Sequence, residues 1–235
     1  ILKELFSQTL FAISTQESRP LLTGLNIRIN GNVMECVTTD SYRLAKKTII
    51  LDADYGTYDI VVPGKNIQEF DKILTDEENV KINLFSNKLL FEYNGYLFQT
   101  SLLSGQYPNT SNLIPTDFEY ILTTNLENFY GAIDRAALLT QNKDKNLINM
   151  KTAGNELVIT SFASEIGKSE ESVAISKNND KDITISYSAK YMLDALKTLN
   201  DDELIILVNG DSKPIILKNA KDDSLIQLIL PIKTY

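Results

Sequence analysis

The sequence of 235 residues contains no histidine, no tryptophan and one cysteine, Cys36. Without histidine, the chain cannot form a Ser-His-Asp or Cys-His catalytic group, an imidazole general base or a two-histidine zinc site. A single cysteine excludes a disulfide framework and every zinc site that needs several cysteines. Cys36 stands within an apolar strand pattern, which predicts a small core residue. The longest apolar runs fall far short of the roughly 20 residues that a membrane-spanning helix needs.

Positive charge is also scarce, because 23 lysine and arginine residues stand against 31 aspartate and glutamate residues. The net charge is -8, and residues 1–118 and 119–235 share it equally. Affinity for nucleic-acid phosphates comes mainly from lysine and arginine, so this composition excludes a generic nucleic-acid binder. Any basic surface must therefore be local. The hydrophobic fraction of 43% is that of an ordinary globular protein.

The candidates for carboxylate chemistry are four pairs of adjacent acidic residues: Glu77-Glu78, Glu170-Glu171, Asp201-Asp202 and Asp222-Asp223. Adjacent side chains diverge, so we interpret these pairs as solvated turns and not as acid/base pairs. The Gly64-Lys65 pair is not a phosphate-binding loop, because Asp59 and Asn66 stand where that motif requires glycine and serine or threonine. The sequence therefore predicts no catalytic residue, no metal site and no cofactor.

Both ends of the chain carry signals. Ile1 is not preceded by an initiator methionine, and no basic segment followed by an apolar stretch occurs there. We therefore predict no signal peptide and expect the chain to start inside a longer protein. The ending Leu230-Pro231-Ile232-Lys233-Thr234-Tyr235 is typical of a last strand and not of a polar tail, which we interpret as a natural terminus.

The sequence repeats its pattern of elements. Apolar residues at helical spacing occur in residues 5–14 and again in 127–136, and a second pair of helical patterns covers 65–74 and 190–199. Strand patterns separate and follow the helices in both halves, and Asn94-Gly95 is a strong hairpin signal. We therefore predict two tandem α+β domains, 1–118 and 119–235, each with two helices packed on antiparallel sheet. One continuous α/β domain is the alternative, which the near-constant offset of the helices disfavours.

The second helix of each half carries lysines opposite its apolar stripe. Ile67, Phe70 and Leu74 form this stripe in the first half, and Lys65 and Lys72 lie almost opposite. Lys190 and Lys197 hold the same places in the second half. One interpretation is an ordinary solvated helix face. The other is a weak basic surface that contacts phosphates without reading bases.

Several segments, in order along the whole chain, resemble the bacterial sliding clamp family, the β subunit of DNA polymerase III. They are Ser18-Arg19-Pro20-Leu21-Leu22-Thr23-Gly24, Thr38-Thr39-Asp40-Ser41-Tyr42-Arg43-Leu44-Ala45, Val61-Val62-Pro63-Gly64-Lys65, Gly105-Gln106-Tyr107-Pro108 with Leu113-Ile114-Pro115, and the ending from Leu230. The resemblance implies two DNA-clamp domains, the middle and the C-terminal one, with the first domain of the family absent. It also implies a cytoplasmic bacterial DNA replication protein.

In the family, two protomers of three domains each close a ring around duplex DNA and act as a non-catalytic processivity factor for the polymerase. Without the first domain the ring cannot close in the usual way, so we expect this chain alone to be largely monomeric. The resemblance implies that Lys65 and Lys72 face DNA, and that Lys190 and Lys197 do so on the equivalent helix. Gln16 and Arg19 match another DNA-contacting stretch, although Pro20 and Leu21 stand where the family sometimes has aromatic residues.

The resemblance also implies a peptide groove that binds segments similar to Gln-Leu-x-Leu-Phe from the polymerase, the clamp loader and repair proteins. The matching residues are Leu22, Thr39, Ser41, Tyr42, Arg43, Leu44, Pro115, Leu228, Leu230, Pro231 and Ile232. An alternative, which we call the structural interpretation, is that Leu22, Leu44 and Leu228 are core residues without a role in the groove. Tyr42 departs from the histidine often found at its position.

Two other classes of function stay open at this point. A metal-dependent enzyme that uses carboxylates would need acidic residues that converge in a cleft, and the sequence offers no such cluster. A peptide-binding scaffold without a role on DNA would keep the groove and not need the lysines. Exchange of Lys65, Lys72, Lys190 and Lys197 for glutamate distinguishes this scaffold from a clamp.

Overall fold

The computed structural model describes residues 1–75, 79–140, 146–163 and 166–233. The chain divides into two compact units, Ile1–Asn109 and Thr110–Tyr235, which we call the first and the second unit. The sequence predicts a boundary after residue 118, whereas residues 110–118 belong to the second unit. Asn209 gives a physical reason, because its side chain accepts a hydrogen bond from the Glu119 amide (2.6 Å) and donates one to the Asp117 carbonyl.

The described residues of the first unit form two helices and two antiparallel sheets, with strand orders β4-β1-β2-β3 and β5-β6-β7. Short 3₁₀ turns cover Leu10–Ala12 and Pro20–Thr23. The elements are α1 Leu2–Thr9, β1 Gly24–Asn30, β2 Val33–Thr39, β3 Arg43–Ile50, β4 Thr57–Pro63, α2 Gly64–Asp71, β5 Lys81–Leu84, β6 Lys88–Tyr93 and β7 Tyr96–Ser101.

The core of the first unit forms where α2 packs on the sheets. Ile67, Phe70 and Leu74 are buried, which confirms the predicted apolar stripe. The Phe70 ring stacks on Phe91, with ring centroids 4.4 Å apart, and lies 5.3 Å from the ring of Phe98. Aromatic pairs at these separations add stability beyond the area they bury. This cluster fixes one face of α2 and leaves the opposite face to solvent.

The second unit repeats this design, because the part of it that the structure describes forms two helices and two antiparallel sheets, ordered β12-β8-β14-β15-β16 and β11-β10-β9-β13. A 3₁₀ turn covers Ser111–Leu113. The elements are β8 Tyr120–Asn125, α3 Leu126–Ala137, β9 Leu147–Ala153, β10 Glu156–Ala163, β11 Gly167–Ala174, β12 Ser176–Lys177, β13 Thr184–Ser188, α4 Ala189–Leu196, β14 Glu203–Val208, β15 Ile215–Asn219 and β16 Leu225–Ile229.

Polar side chains cap both helices of the second unit. The Asn125 side chain accepts a hydrogen bond from the Asn128 amide at 2.9 Å, and the Ser188 hydroxyl accepts one from the Tyr191 amide at 3.4 Å. Such caps satisfy amide groups that the first helical turn leaves unpaired. Over the described ranges of both units, four or more strands separate the helices and three strands follow, so the prediction of two tandem α+β units is confirmed.

The structure bears on two statements made from the sequence, one about Cys36 and one about membrane-spanning helices. Cys36 is buried in β2, as predicted, and burial together with the charge of Glu35 raises the pKa of its thiol to about 12. Within the ranges that the structure describes, no helix is long and apolar enough to span a membrane.

Candidate functional site

The four lysines predicted to face DNA are exposed on the second helix of each unit. Lys65 lies in the first turn of α2, and Lys72 is the residue at its C-terminal end. Lys190 and Lys197 occupy the same places on α4. The apolar face of each helix is buried, and this orients the lysines toward solvent in both units. The repeat seen in the sequence is therefore a repeat of surface charge.

Acidic partners distinguish the two lysine pairs. Lys65 Nζ lies 3.9 Å from Glu17 Oε1, and Lys72 Nζ lies 2.7 Å from Glu69 Oε1. For Lys190 and Lys197, no acidic side chain in the described part of the chain lies within ion-pair distance. The two lysines of the second unit therefore make no ion pair within the described residues, whereas both lysines of the first unit do.

Arg19 and Gln16 lie in an exposed loop before the first strand. The Arg19 amide donates a hydrogen bond to the Gln16 carbonyl at 3.2 Å, which closes a turn. The Arg19 guanidinium donates through Nη1 to the Ser41 hydroxyl at 2.9 Å. Arg19, which is predicted to face DNA, therefore contacts Ser41, which is predicted to line the peptide groove. The predicted DNA-facing residues and the predicted groove residues are thus adjacent in the first unit.

The turn of residues 39–43 joins β2 to β3 and is closed by its own side chains. The Thr39 hydroxyl donates to the Arg43 carbonyl at 2.6 Å and accepts from the Ser41 amide at 3.1 Å. Asp40 Oδ1 accepts from the amides of Tyr42 and Arg43 at 2.9 and 3.0 Å. These bonds hold the turn in one shape, and Tyr42 projects from it with 58% of its surface exposed.

The Arg43 side chain links this turn to the residues packed behind it. Its Nε lies 3.1 Å from Asp40 Oδ2, and its Nη2 donates to the Phe11 carbonyl at 2.9 Å. The guanidinium also lies 5.3 Å from the centre of the Phe11 ring, within the range of cation–π attraction. Only 11% of the Arg43 side chain is exposed. The Arg43 guanidinium therefore bonds to groups within the first unit and not to solvent. These bonds position the turn that carries Tyr42.

The aliphatic groove residues of the first unit lie inside it. Leu22 and Leu44 are 6% and 2% exposed, as the structural interpretation expects, and Leu44 pairs with Thr39 across β2 and β3. Tyr107 is buried beside the backbone of Thr39, and this burial raises the pKa of its phenol. The sequence indicated Tyr107 only as part of a family segment. No pattern in the residues around Tyr107 predicts its position beside the 39–43 turn, which is distant in the chain.

The groove residues of the second unit lie at and after the end of β16. Leu228 is 3% exposed and belongs to the core, as the structural interpretation expects, whereas Leu230 is 38% exposed. The Ile232 amide donates to the Ser186 carbonyl of β13 at 2.8 Å, which fixes the departing chain. Residues 230–232 therefore form a held, partly exposed segment and not a free tail.

The remaining predicted groove residues, Pro115 and Pro231, are both half-buried. Thr234 and Tyr235, which complete the family ending, lie outside the described residues.

The acidic pairs have structural partners. Glu170-Glu171 lies in β11 and not in a turn, which corrects the prediction: successive side chains of a strand point to opposite faces, and Glu171 accepts two hydrogen bonds from Arg135. Asp201 accepts from the amides of Asp202 and Lys221. The pair Glu77-Glu78 lies outside the described residues. In the ranges that are described, no three acidic, cysteine or histidine side chains are arranged to hold a metal ion.

Comparison with known proteins accounts for this architecture. Residues 1–109 match the family model of the DNA polymerase III beta subunit, central domain, and residues 111–233 match that of its C-terminal domain. The chain belongs to the DNA polymerase III beta subunit family. Both matches end and begin close to the division between the two units, so the units correspond to family domains.

Individual relatives agree with the family match. The chain is 43% identical over 237 residues to a protein of Staphylococcus epidermidis named Beta sliding clamp, which aligns with 100% of the chain and 63% of that protein. A Beta sliding clamp of Staphylococcus aureus is 41% identical over 236 residues, with the same shares covered. The chain therefore spans less than two thirds of the length of these relatives.

Solved structures show the same fold. A DNA polymerase sliding clamp from Bacillus subtilis superimposes with a TM-score of 0.94 at 38% identity, over 100% of this chain and 62% of that one. A DNA polymerase III beta chain from Streptococcus pneumoniae gives a TM-score of 0.93 at 34% identity, over 99% and 63%. The fold expected from the resemblance, two tandem clamp domains, is confirmed.

Proposed function

We propose that this chain is the middle and C-terminal part of a sliding clamp, a non-catalytic accessory subunit of the bacterial DNA replication machinery. In the full-length protein, a ring dimer encircles duplex DNA in the cytoplasm and tethers the polymerase. The observation that carries this proposal is the recurrence of two exposed lysines on the second helix of both units. Family membership and the names of the relatives support it.

The charge pattern suits a protein that slides. Phosphate contacts from lysines carry no sequence information, and each neutralised phosphate adds affinity that falls with salt. A few such contacts on an acidic protein hold DNA weakly, so retention comes from the closed ring. The acidic partners of Lys65 and Lys72 weaken the first unit's attraction further. We therefore assign the larger share of DNA contact to Lys190 and Lys197, with Gln16 and Arg19 as minor contributors.

The peptide-binding side of the proposal rests on exposed apolar residues held by fixed backbone. Tyr42 projects from the 39–43 turn, and Leu230 projects from the segment that Ile232 fixes on β13. Apolar anchors of a peptide gain most where they meet pre-ordered apolar surface. We propose that segments similar to Gln-Leu-x-Leu-Phe, carried by polymerase, clamp loader and repair proteins, bind the predicted groove residues.

Retention on circular DNA tests the proposal. The full-length protein is loaded on closed circular DNA, and its loss is followed after the circle is cut. We expect release on cutting. Lys190→Glu with Lys197→Glu should leave retention on the uncut circle in place, because the ring stays closed, but should weaken loading and lower the slope of log affinity against log salt by roughly 2 per protomer. The matched control is Lys151→Glu, which changes an exposed lysine of β9 and should have no effect. Retention that survives the cut, or loading and a salt slope that the substitutions leave unchanged, would contradict the proposal.

The second candidate is a peptide-binding scaffold without a role on DNA. The ion pairs of Lys65 and Lys72 favour it, because paired lysines are also typical of an ordinary solvated helix face. If the four lysine-to-glutamate exchanges leave loading on DNA and polymerase processivity unchanged while the peptide still binds, the scaffold replaces the clamp.

We also propose that this chain alone is monomeric, since the resemblance implies that ring closure uses a domain outside it. Light scattering coupled to size exclusion should give the mass of one chain, 26.4 kDa. A concentration-independent dimer would contradict this part of the proposal.

A further inference from the structure

Three asparagine-glycine pairs occur in the chain: Asn30-Gly31, Asn94-Gly95 and Asn209-Gly210. In such a pair, the glycine backbone nitrogen can attack the side-chain carbonyl carbon of the asparagine, because glycine has no side chain to obstruct the approach. The reaction needs a free side-chain amide and a glycine nitrogen that is not held elsewhere. The structure places the three pairs in three different situations.

Asn94 and Gly95 form the two-residue turn between β6 and β7. Tyr93 pairs with Tyr96 across the hairpin, and the backbone φ angles are 47° at Asn94 and 78° at Gly95. Both turn residues are exposed. Neither the Asn94 side chain nor the Gly95 amide makes a hydrogen bond to any residue that the structure describes. Within the described residues, therefore, no hydrogen bond has to open before the nitrogen can reach the carbon that it attacks.

Asn209 is held at both ends of its amide. Its Oδ1 accepts a hydrogen bond from the Glu119 amide at 2.6 Å, and its Nδ2 donates to the Asp117 carbonyl. Attack on this side chain requires that both bonds open first. Asn209 therefore carries the same dipeptide as Asn94 with its side chain restrained.

In the Asn30 pair, the nitrogen is the restrained atom. The Gly31 amide donates to the Gly56 carbonyl at 2.9 Å. Asn30 itself ends β1, where it pairs with Val33 on one side and Thr57 on the other. The backbone that would have to rotate toward the side chain is thus fixed by neighbouring strands.

We propose that Asn94 is a site of spontaneous deamidation in the folded protein, and that Asn30 and Asn209 are protected. The Gly95 nitrogen forms a bond to Asn94 Cγ, the bond from Cγ to Nδ2 breaks, and ammonia leaves with the proton that the backbone nitrogen gives up. This yields a cyclic succinimide. One water molecule then opens the ring, to aspartate or to isoaspartate. No oxidant, reductant or metal takes part.

Modification at Asn94 changes the hairpin in two ways. Either product replaces a neutral amide with a carboxylate. Isoaspartate also inserts one more carbon into the main chain of a two-residue turn, whose geometry sets the register between Tyr93 and Tyr96. The exposed side chains next to the turn, Tyr96 and Leu97, would shift with it. Deamidation would therefore alter an exposed apolar surface of the first unit.

Peptide mapping by mass spectrometry tests the inference on the chain as it is. The folded protein is incubated at mildly alkaline pH, and conversion at each of the three asparagines is followed with time, by fragment spectra and by an isoaspartate assay. We expect Asn94 to convert faster than Asn30 and Asn209, by up to about tenfold for each hydrogen bond that must open first, because opening one hydrogen bond of ordinary strength costs up to about that factor. Conversion of Asn94 at or below the rate of Asn209 would overturn the inference.

The same incubation in denaturant supplies the control. Unfolding removes the hydrogen bonds of Asn209 and Gly31, so the three rates should converge. If the advantage of Asn94 persists undiminished after unfolding, local sequence and not the fold would set the rates, and the inference would fail. An Asn94→Gln variant should lose the fast signal, while an Asn94→Asp variant serves as the standard for one product. None of these outcomes depends on the proposed clamp function.

Discussion

At the scale of single residues, the 39–43 turn shows how function can depend on a buried charge. Arg43 matches a groove residue of the family, yet its guanidinium bonds inward to Asp40 and Phe11. It orders the backbone from which Tyr42 projects, so its contribution to peptide binding is positional. Sequence patterns do not show this, because Phe11 and Arg43 lie 32 residues apart.

Arg43→Ala should lower the free energy of unfolding by about 1–3 kcal/mol, because it leaves the partially buried Asp40 carboxylate and the Phe11 carbonyl with fewer donors. Urea denaturation measures this. The matched control is Arg135→Ala, which removes an equally well-formed pair with Glu171 from a side chain that is 59% exposed. That change should cost less than Arg43→Ala does, because solvent screens an exposed ion pair. Equal losses in the free energy of unfolding for the two variants would show that the buried bonds of Arg43 stabilise the chain no more than an exposed ion pair does.

Asp182 provides a pH-dependent contribution to stability. Hydrogen bonds from Lys177 and Thr152 lower the pKa of its carboxyl below the ordinary value of 3.8. The ionised form is therefore favoured in the folded state, so the contribution is present above the ordinary pKa and is lost as pH falls through the lowered one. Asp182→Asn should destabilise the chain at neutral pH and lose this effect in acid. Thermal unfolding across pH tests it, and a difference that grows on acidification would contradict the assignment.

At the scale of elements, the two units start their second helix differently. In the second unit, Ser188 caps α4, which begins with Ala189. In the first unit, α2 begins at Gly64 without a side-chain cap, and a Cβ there would lie 2.7 Å from the Thr23 carbonyl oxygen. The chain therefore approaches α2 closely where α4 leaves room for a methyl group.

Gly64→Ala should destabilise the first unit by about 1–3 kcal/mol, because backbone atoms cannot move away from the added methyl group. Gly131→Ala in α3 is the matched control. The added Cβ there would meet the Nη1 end of the exposed Arg135 side chain at 3.1 Å, which can shift further than backbone can, so the higher helix propensity of alanine should stabilise by up to about 1 kcal/mol. Chemical denaturation of both variants should give changes of opposite sign. A neutral or stabilising Gly64→Ala would contradict the close approach.

The elements themselves were largely predictable from the sequence. Apolar spacing predicted the buried faces of α2 and α4, and Asn94-Gly95 predicted a hairpin whose turn has the expected positive φ angles. The end of α1 was not predictable. The pattern extends to residue 14, but the helix ends at Thr9 and continues as a 3₁₀ turn. The contact of Arg19 with Ser41 was not predictable either, because it depends on tertiary structure that brings two loops together.

At the scale of the whole molecule, two units of one design carry different surface chemistry. The first unit presents lysines with acidic partners and the ordered turn below Tyr42, and the second presents lysines without such partners and the partly exposed Leu230. Internal repetition in the sequence indicated the shared design. The differences lie in side-chain partners, which repeat analysis does not resolve. The proposed clamp uses residues of both units. It binds two classes of ligand, which are DNA and a short apolar peptide.

Peptide binding by this chain tests the central claim most directly. A labelled Gln-Leu-Ser-Leu-Phe peptide is titrated with the chain, and fluorescence anisotropy reports binding. Leu230→Asp and Tyr42→Ala should each weaken binding about tenfold, since loss of an anchor contact costs more than about 1 kcal/mol. Leu97→Asp, at an exposed leucine of β7 outside the predicted groove, should leave affinity unchanged. Absence of binding by the folded chain, or equal loss in all three variants, would contradict the account.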